Sequence, residues 1–285
     1  MNADPSHTSR AAGLSTRPKD APPLVMLTAY DFPSAQAADA GGVDIVLVGD
    51  SAATNVLGYN STREIPVEEL LMLTRAARRG VRNALLVGDL PFSTYEASDD
   101  LAVSTARRFV DAGCDFVKVE GAGAIVSRVR AIVSAGISVV GHVGLLPQAA
   151  ASADELKVRG RSADDALAIV DDARALEAAG ASALVIEAVP SPVADAVAHQ
   201  VRIPVIGIGA GAGVDGQVLV YHDLLGLGTG HVAKFVRRYA SLHEEAVRAI
   251  TAYAADVRAR RFPAVAETYA MSDAELAALR ARGSR

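Results

Sequence analysis

From Leu24 onward, short runs rich in Val, Ile and Leu recur at intervals of roughly 25 to 40 residues and alternate with longer, alanine-rich amphipathic stretches. The runs are "LVMLTAYD", "VDIVLVGDS", "ALLVGDL", "FVKVEG", "SVVGHVG", "ALVIEAV", "PVIGIGAG" and "VLVYHDLLG". Most are apolar at nearly every position, as expected of strands covered on both faces. The stretches between them carry helix punctuation. "PVEELLMLTRAARRG" opens at Pro66 with acidic residues in its first turn and stops at Gly80 after Arg78 and Arg79. "SADDALAIVDDARALEAAG" opens on Ser162 as N-cap and stops at Gly180, and a further helix opens at Pro33 and Ser34.

Regular alternation of strand and helix predicts a parallel sheet. Eight such strands within about 240 residues predict an α/β fold of the (β/α)8 TIM-barrel type. Residues 24–285 are read as one domain. Two helical stretches extend it at the C-terminus: Tyr239 to Arg261, and "MSDAELAALRAR", packed outside the barrel or against a neighbouring subunit. Residues 1–23 are read as a flexible leader. The competing architecture, a doubly wound open sheet, lacks its G-x-G-x-x-G in the first unit. "GIGAGAG" at Gly207 to Gly213 resembles a phosphate-gripping loop in pattern alone.

Composition narrows the class. Of 285 residues 51% are hydrophobic, enough for a large core, and the net charge of -5 with interspersed signs leaves no basic stripe for nucleic acid. No apolar run approaches the about 20 residues of a membrane helix. The N-terminus has no apolar signal core. A lone cysteine, Cys114, forms no internal disulfide, which fits a reducing cytoplasm.

Chemistry concentrates where the strands end. In order, those ends carry Asp50 and Ser51, Asp89, Lys118 and Glu120, His142, and Glu187. In a barrel of this type, side chains at the C-terminal ends of the strands converge. Any one carboxylate there has a plain alternative as a helix cap, the reading preferred for Asp31 beside Tyr30. Asp50, Asp89 and Glu120 offer hard oxygen ligands without thiolates, a set that favours Mg²⁺. Lys118 shares a strand face with Glu120. A dication and a lysine together suit a small keto acid, whose enolate the metal would stabilise. Glu187, on an apolar strand, is a candidate acid or base; its structural alternative is an ion pair with Lys118, and that of His142 is a hydrogen-bonded residue of the barrel mouth. His199, His222, His231 and His243 share no metal-ligand spacing.

The stretches "LTAYD", "LVGDS", "DLPFSTYE", "VKVEG", "GHVGLLPQ", "IEAVP", "IPVIGIGAG" and "DGQVLVYHD" run in order from Leu27 to Asp223. In these the chain resembles the ketopantoate hydroxymethyltransferase family. The resemblance implies a (β/α)8 barrel that adds a hydroxymethyl group from 5,10-methylenetetrahydrofolate to 3-methyl-2-oxobutanoate, on the route to pantothenate and coenzyme A. It implies Mg²⁺ bound by Asp50 and Asp89 with Glu120 in its environment. The keto acid would be held by Ser51 and Lys118 with the metal, Glu187 would act as proton acceptor, and His142 would lie beside the product hydroxyl. A homo-oligomer, commonly a decamer, is implied as well. Three places depart from the family pattern: "PQAAASADELKVRGR" lacks a glycine pair and an aromatic residue, Asn60 in "GYNST" replaces an acidic residue, and "FPAVAETY" lacks a Glu-His pair. Two other activities are weighed: a paralogue acting on another 2-oxo acid, and a carbon-carbon lyase like phosphoenolpyruvate mutase and isocitrate lyase, whose catalytic-loop cysteine Cys114 does not supply because it precedes a strand. A non-catalytic binding barrel is the third class, disfavoured by so many converging charges.

Overall fold

The computed structural model of the protein describes residues 13–150, 155–230 and 232–283. Eight parallel strands close into a barrel in chain order, and the last pairs back to the first. They are β1 (Leu24–Thr28), β2 (Ile45–Val48), β3 (Leu85–Asp89), β4 (Phe116–Glu120), β5 (Ser138–Gly144), β6 (Ala183–Glu187), β7 (Val205–Ile208) and β8 (Gly216–Leu219). The helices are α1 (Phe32–Ala40), α2 (Ala52–Asn55), α3 (Val67–Gly80), α4 (Asp99–Asp111), α5 (Ile125–Ser134), α6 (Ala163–Ala178), α7 (Ser191–Gln200), α8 (Tyr221–Leu225), α9 (Leu242–Arg258) and α10 (Asp273–Gly283). The (β/α)8 barrel with C-terminal helices read from the sequence is the observed architecture.

Two apolar cores follow from the two-residue period of a strand. One set of alternate residues, including Met26, Ile45, Leu85, Val87, Phe116, Val140, Val185 and Ile206, fills the barrel. The other set, including Val46, Leu86, Val117, Val139, Leu184 and Val205, packs outward among the helices. Gly88 faces outward on β3, where a Cβ would lie 2.5 Å from the Phe109 ring and 2.7 Å from Cys114 Sγ. Lacking one, β3 lets α4 lie close, and Cys114 is sealed between them, its thiol pKa pushed up by burial.

Helix starts match the punctuation in the sequence. Asp31 caps α1: its Oδ1 accepts from Ser34 N at 2.8 Å, and Ser34 Oγ accepts from Asp31 N at 3.1 Å. Ser162 caps α6 through Asp165 N, and Glu68 and Glu69 sit in the first turn of α3.

Three details differ from the sequence reading. "VLVYHDLLG" is strand only to Leu219; Tyr221 N donates to Thr28 Oγ1, and the chain turns into the single-turn α8, ended by Gly226 at φ 63°. "GIGAGAG" leads into β8 with no helix after it, so there is no helix N-terminus to receive a phosphate. Within the segment read as a leader, Leu14 is buried with the barrel-filling residues, and Lys19 pairs with Asp215 at 2.6 Å. The remainder of that segment, residues 1–12, lies outside the described residues, as do residues 151–154 of the altered "PQAAASADELKVRGR" loop. No helix among the described residues is long and apolar enough to cross a membrane.

Candidate active site

The alternation that fills the barrel also delivers its chemistry. On β3 the inward series is Leu85, Val87, Asp89; on β4 it is Phe116, Lys118, Glu120; on β5 Val140 is followed by His142; on β6 the series is Ala183, Val185, Glu187. The apolar members close the barrel below, and the last one or two positions carry ionisable groups. Strand register sets them side by side: Asp89 lies opposite Lys118, and Glu120 opposite His142.

Asp50, Asp89, Lys118, Glu120 and His142 are all buried. Lys118 Nζ lies 2.8 Å from Asp89 Oδ1 and 3.1 Å from Glu120 Oε1. His142 Nδ1 is 3.3 Å from Glu120 Oε1, and its Nε2 is 3.4 Å from Glu187 Oε2. Glu187 is thus next to His142, not in the ion pair with Lys118 weighed from the sequence. Its side chain, 18% exposed against 3% for Glu120, is at the open edge of the cluster. Ser51, just beyond β2, places its Oγ 2.8 Å from Tyr30 OH. Asp50, Asp89, Lys118, Glu120, His142 and Glu187 therefore meet in one network at the C-terminal mouth, and Ser51 lies beside it, bonded to Tyr30.

Three further residues stand beside it, two of which, Tyr95 and Gln148, the sequence did not single out for a role. Tyr30, for which the sequence leaves both a place in the site and one beside a helix cap and favours the cap, is buried against Ser51. Gln148 is buried on the turn after β5. Its Nε2 donates to Asp50 Oδ2 at 2.9 Å and to Leu90 O at 3.0 Å, and its backbone N–H donates to Glu120 Oε2 at 3.0 Å. Tyr95 OH accepts from Glu120 N at 3.1 Å and donates to Gln148 Oε1 at 2.8 Å.

One ligand oxygen from each of Asp50, Asp89 and Glu120 lies within 4.8 Å of the others, a set able to hold a metal ion. Burial, reinforced by Asp89 and Glu120, raises the Asp50 pKa well above the carboxylate range, and burial also raises that of Asp89. Burial works against Glu120 too, but Lys118 and His142 outweigh it and hold its carboxyl down at about 2. Burial likewise opposes the charged form of Lys118, but Asp89, Glu120 and Asp50 keep its pKa well above the lysine value. His142 is raised to about 9, because Glu120 overcomes the burial of the ring. Three carboxyl groups share a pocket with one amine and one imidazole, and Asp50 is the group whose charge the burial and crowding most disfavour. A small hard dication among these oxygens relieves it, so the donor set fits Mg²⁺ on its own chemistry.

The barrel resembles that of phosphoenolpyruvate phosphomutase from Streptomyces platensis subsp. rosaceus, at TM-score 0.61 and 17% identity over 97% of this chain and 95% of that one. It is similarly close to phosphonopyruvate hydrolase, at TM-score 0.59 and 15% identity over 98% of each chain. Those likenesses are of fold. Sequence is more specific. Proteins named 3-methyl-2-oxobutanoate hydroxymethyltransferase from Geobacillus kaustophilus (strain HTA426) and Geobacillus thermodenitrificans (strain NG80-2) are 50% and 49% identical to it over 258 residues, covering 90% of this chain and 92% of each relative. The model of the ketopantoate hydroxymethyltransferase family matches residues 9–265. The chain is an enzyme of the ketopantoate hydroxymethyltransferase family.

Proposed function

We propose that the enzyme converts 3-methyl-2-oxobutanoate to 2-dehydropantoate with 5,10-methylenetetrahydrofolate as one-carbon donor, in the cytoplasmic synthesis of pantothenate. The observation that carries the reading is the arrangement of Glu187, a partly exposed carboxylate whose Oε2 lies 3.4 Å from His142 Nε2, at the edge of a buried three-carboxylate cluster. Asp50, Asp89 and Glu120 would hold Mg²⁺. When bound, the ion supplies positive charge that favours the enolate of the 2-oxo acid over its keto form.

The chain's own groups do the rest. The Lys118 ammonium and the Ser51 hydroxyl bind and orient the keto acid, and Tyr30 OH fixes the Ser51 rotamer. Glu187 takes the proton from C3, and the electrons of the C3–H bond pass to the carbonyl oxygen. Water hydrolyses the methylene bridge of the co-substrate, releasing tetrahydrofolate and its carbon at the formaldehyde level. C3 adds to that carbon, and His142, its pKa raised to about 9 by Glu120, would give the new alkoxide its proton.

The test is proton NMR of 3-methyl-2-oxobutanoate in D₂O with enzyme and Mg²⁺. The C3 proton signal is expected to disappear without folate, and 2-dehydropantoate to form only when 5,10-methylenetetrahydrofolate is added. In Glu187→Gln the exchange is expected to slow by at least about 100-fold with Mg²⁺ affinity little changed. Unchanged exchange in that variant removes Glu187 from the role.

A further inference from the structure

The row of ionisable strand ends leaves β1 without a charged member. Its inward series, Leu24, Met26 and Thr28, closes on a hydroxyl, and Thr28 is only 2% exposed. Around this residue runs a chain of hydrogen bonds that crosses the seam where the barrel closes, from β8 over β1 to β2. Tyr221 N, just past β8, donates to Thr28 Oγ1 at 3.0 Å. The Thr28 hydroxyl bonds to the phenol of the buried Tyr30, and Tyr30 OH lies 2.8 Å from Ser51 Oγ, just beyond β2.

A hydroxyl has one proton to give and lone pairs with which to accept. Tyr221 N–H alone in this chain has a fixed role, because an amide nitrogen donates and does not accept. That fixes the direction of the rest. Thr28 Oγ1 accepts from Tyr221 and gives its proton to Tyr30 OH, and Tyr30 in turn gives its own to Ser51 Oγ. The proton of Ser51 is then left for a ligand. Burial pushes the Tyr30 pKa up, so the phenol keeps the proton that the chain needs. Bonds linked in one sense also polarise and strengthen one another.

We propose that Thr28 is a positioning residue: through Tyr30 it fixes Ser51 as a hydrogen-bond donor toward the 2-oxo acid. The inference rests on the function proposed above and goes further in naming what orients the serine. A carboxylate or carbonyl oxygen only accepts, so it fits a serine whose proton is already free for it. Without Thr28 the chain can reverse, and Ser51 would then donate to Tyr30 for part of the time. The head of the chain is a backbone group of the β8–α8 turn, so one contact serves both the closure of the barrel and the polarity of Ser51. Thr28 touches no reacting atom, and its effect falls on keto-acid binding and not on proton removal by Glu187.

The experiment follows folate-free C3 proton exchange against 3-methyl-2-oxobutanoate concentration, in D₂O with saturating Mg²⁺. The parent is compared with Thr28→Val, Thr28→Ser, Tyr30→Phe, Ser51→Ala and the pair Thr28→Val/Ser51→Ala. The KM is expected to rise about five- to tenfold in Thr28→Val and Tyr30→Phe and to stay within about twofold of the parent in Thr28→Ser. In both Thr28 variants the limiting exchange rate is expected to follow the parent. Thr28→Val is expected to add nothing once Ser51 is replaced by alanine. An equal rise in KM with and without Ser51 overturns the inference, since Thr28 would then act by packing alone. A parent-like KM in Thr28→Val or in Ser51→Ala overturns it as well. If Thr28→Val fails to fold, Thr28→Ala, alone and paired with Ser51→Ala, carries the same comparison. A parent that exchanges no C3 proton instead overturns the function proposed above.

Discussion

Gln148 carries no charge and ends no strand, yet it ties together two carboxyl groups of the candidate metal site. Its amide bonds Asp50, its backbone bonds Glu120, and Tyr95 fixes the amide from behind. Outer groups of this kind set the orientation of ligand oxygens, and their loss typically weakens metal binding about 10- to 100-fold. Gln148→Ala is therefore expected to raise the Mg²⁺ dissociation constant by that factor, as read by titration calorimetry; a value unchanged from the parent would confine Gln148 to packing. The raised Asp50 pKa gives the same site a pH signature. A proton competes with the ion for Asp50, so Mg²⁺ affinity is expected to rise with pH through a range above the usual carboxylate value, with proton release on binding. At this scale Asp50, Asp89, Lys118, Glu120, His142 and Glu187 were legible because each is an ionisable group closing an apolar run. Tyr95 and Gln148 were not, and Tyr30 was legible only as site or cap, because a neutral side chain on a turn has no pattern that tells whether it will meet a carboxylate or the solvent.

At the scale of elements, the βα units are stitched by carboxylates that accept backbone N–H groups at the closed end of the barrel. Asp39 near the end of α1 is the clearest case. Its Oδ1 accepts from Asn83 N at 2.7 Å and from the buried Ala84 N at 2.8 Å, just ahead of β3. Its partial burial disfavours the charge, but these bonds outweigh that and lower its pKa. Removing the acceptor leaves a buried N–H without its partner, and Asp39→Ala is expected to cost about 1–3 kcal/mol, seen as a lower urea midpoint at unchanged slope. Because the folded pKa lies below the unfolded one, the contribution is complete above the unfolded value and is lost as pH falls through the folded one. Parent and variant should thus converge in stability in acid. The strand and helix assignments were legible from apolar runs and capping residues, whereas the end of β8 was not. "VLVY" has strand composition throughout, and only the bond from Tyr221 N to Thr28 on a strand distant in sequence turns the chain into α8.

Over the whole molecule, the helix ring is incomplete at the closure. Beside β8 and β1 an apolar cavity of about 520 Å³, lined by Val25, Val43, Val218 and Leu224 among others, lies where the eighth helix of a barrel would pack. The helix long enough to fill it, α9, has no buried residue and carries Val247, Ile250, Tyr253 and Val257 exposed along one stripe. Its start is tethered by Tyr239 N to Leu224 O and His243 N to Gly226 O, at 2.8 and 3.0 Å. An apolar stripe and an apolar slot on one chain are what the homo-oligomer implied by the family resemblance would need, with α9 at the contact between copies. Sedimentation is expected to show an oligomer for the parent and smaller species for Ile250→Asp/Tyr253→Asp; equal masses would place the contact elsewhere. The order of strands and helices, the caps and the row of ionisable strand ends were all written in local patterns, since periodicity and capping act over a few residues and a parallel barrel in chain order needs little else. The pairing of His142 with Glu187, the bridging by Gln148, the burial of Leu14 in the barrel and the missing helix between β7 and β8 were not. Each depends on which distant segments come within a few ångströms once the sheet has closed, and register and closure, not composition, set those distances.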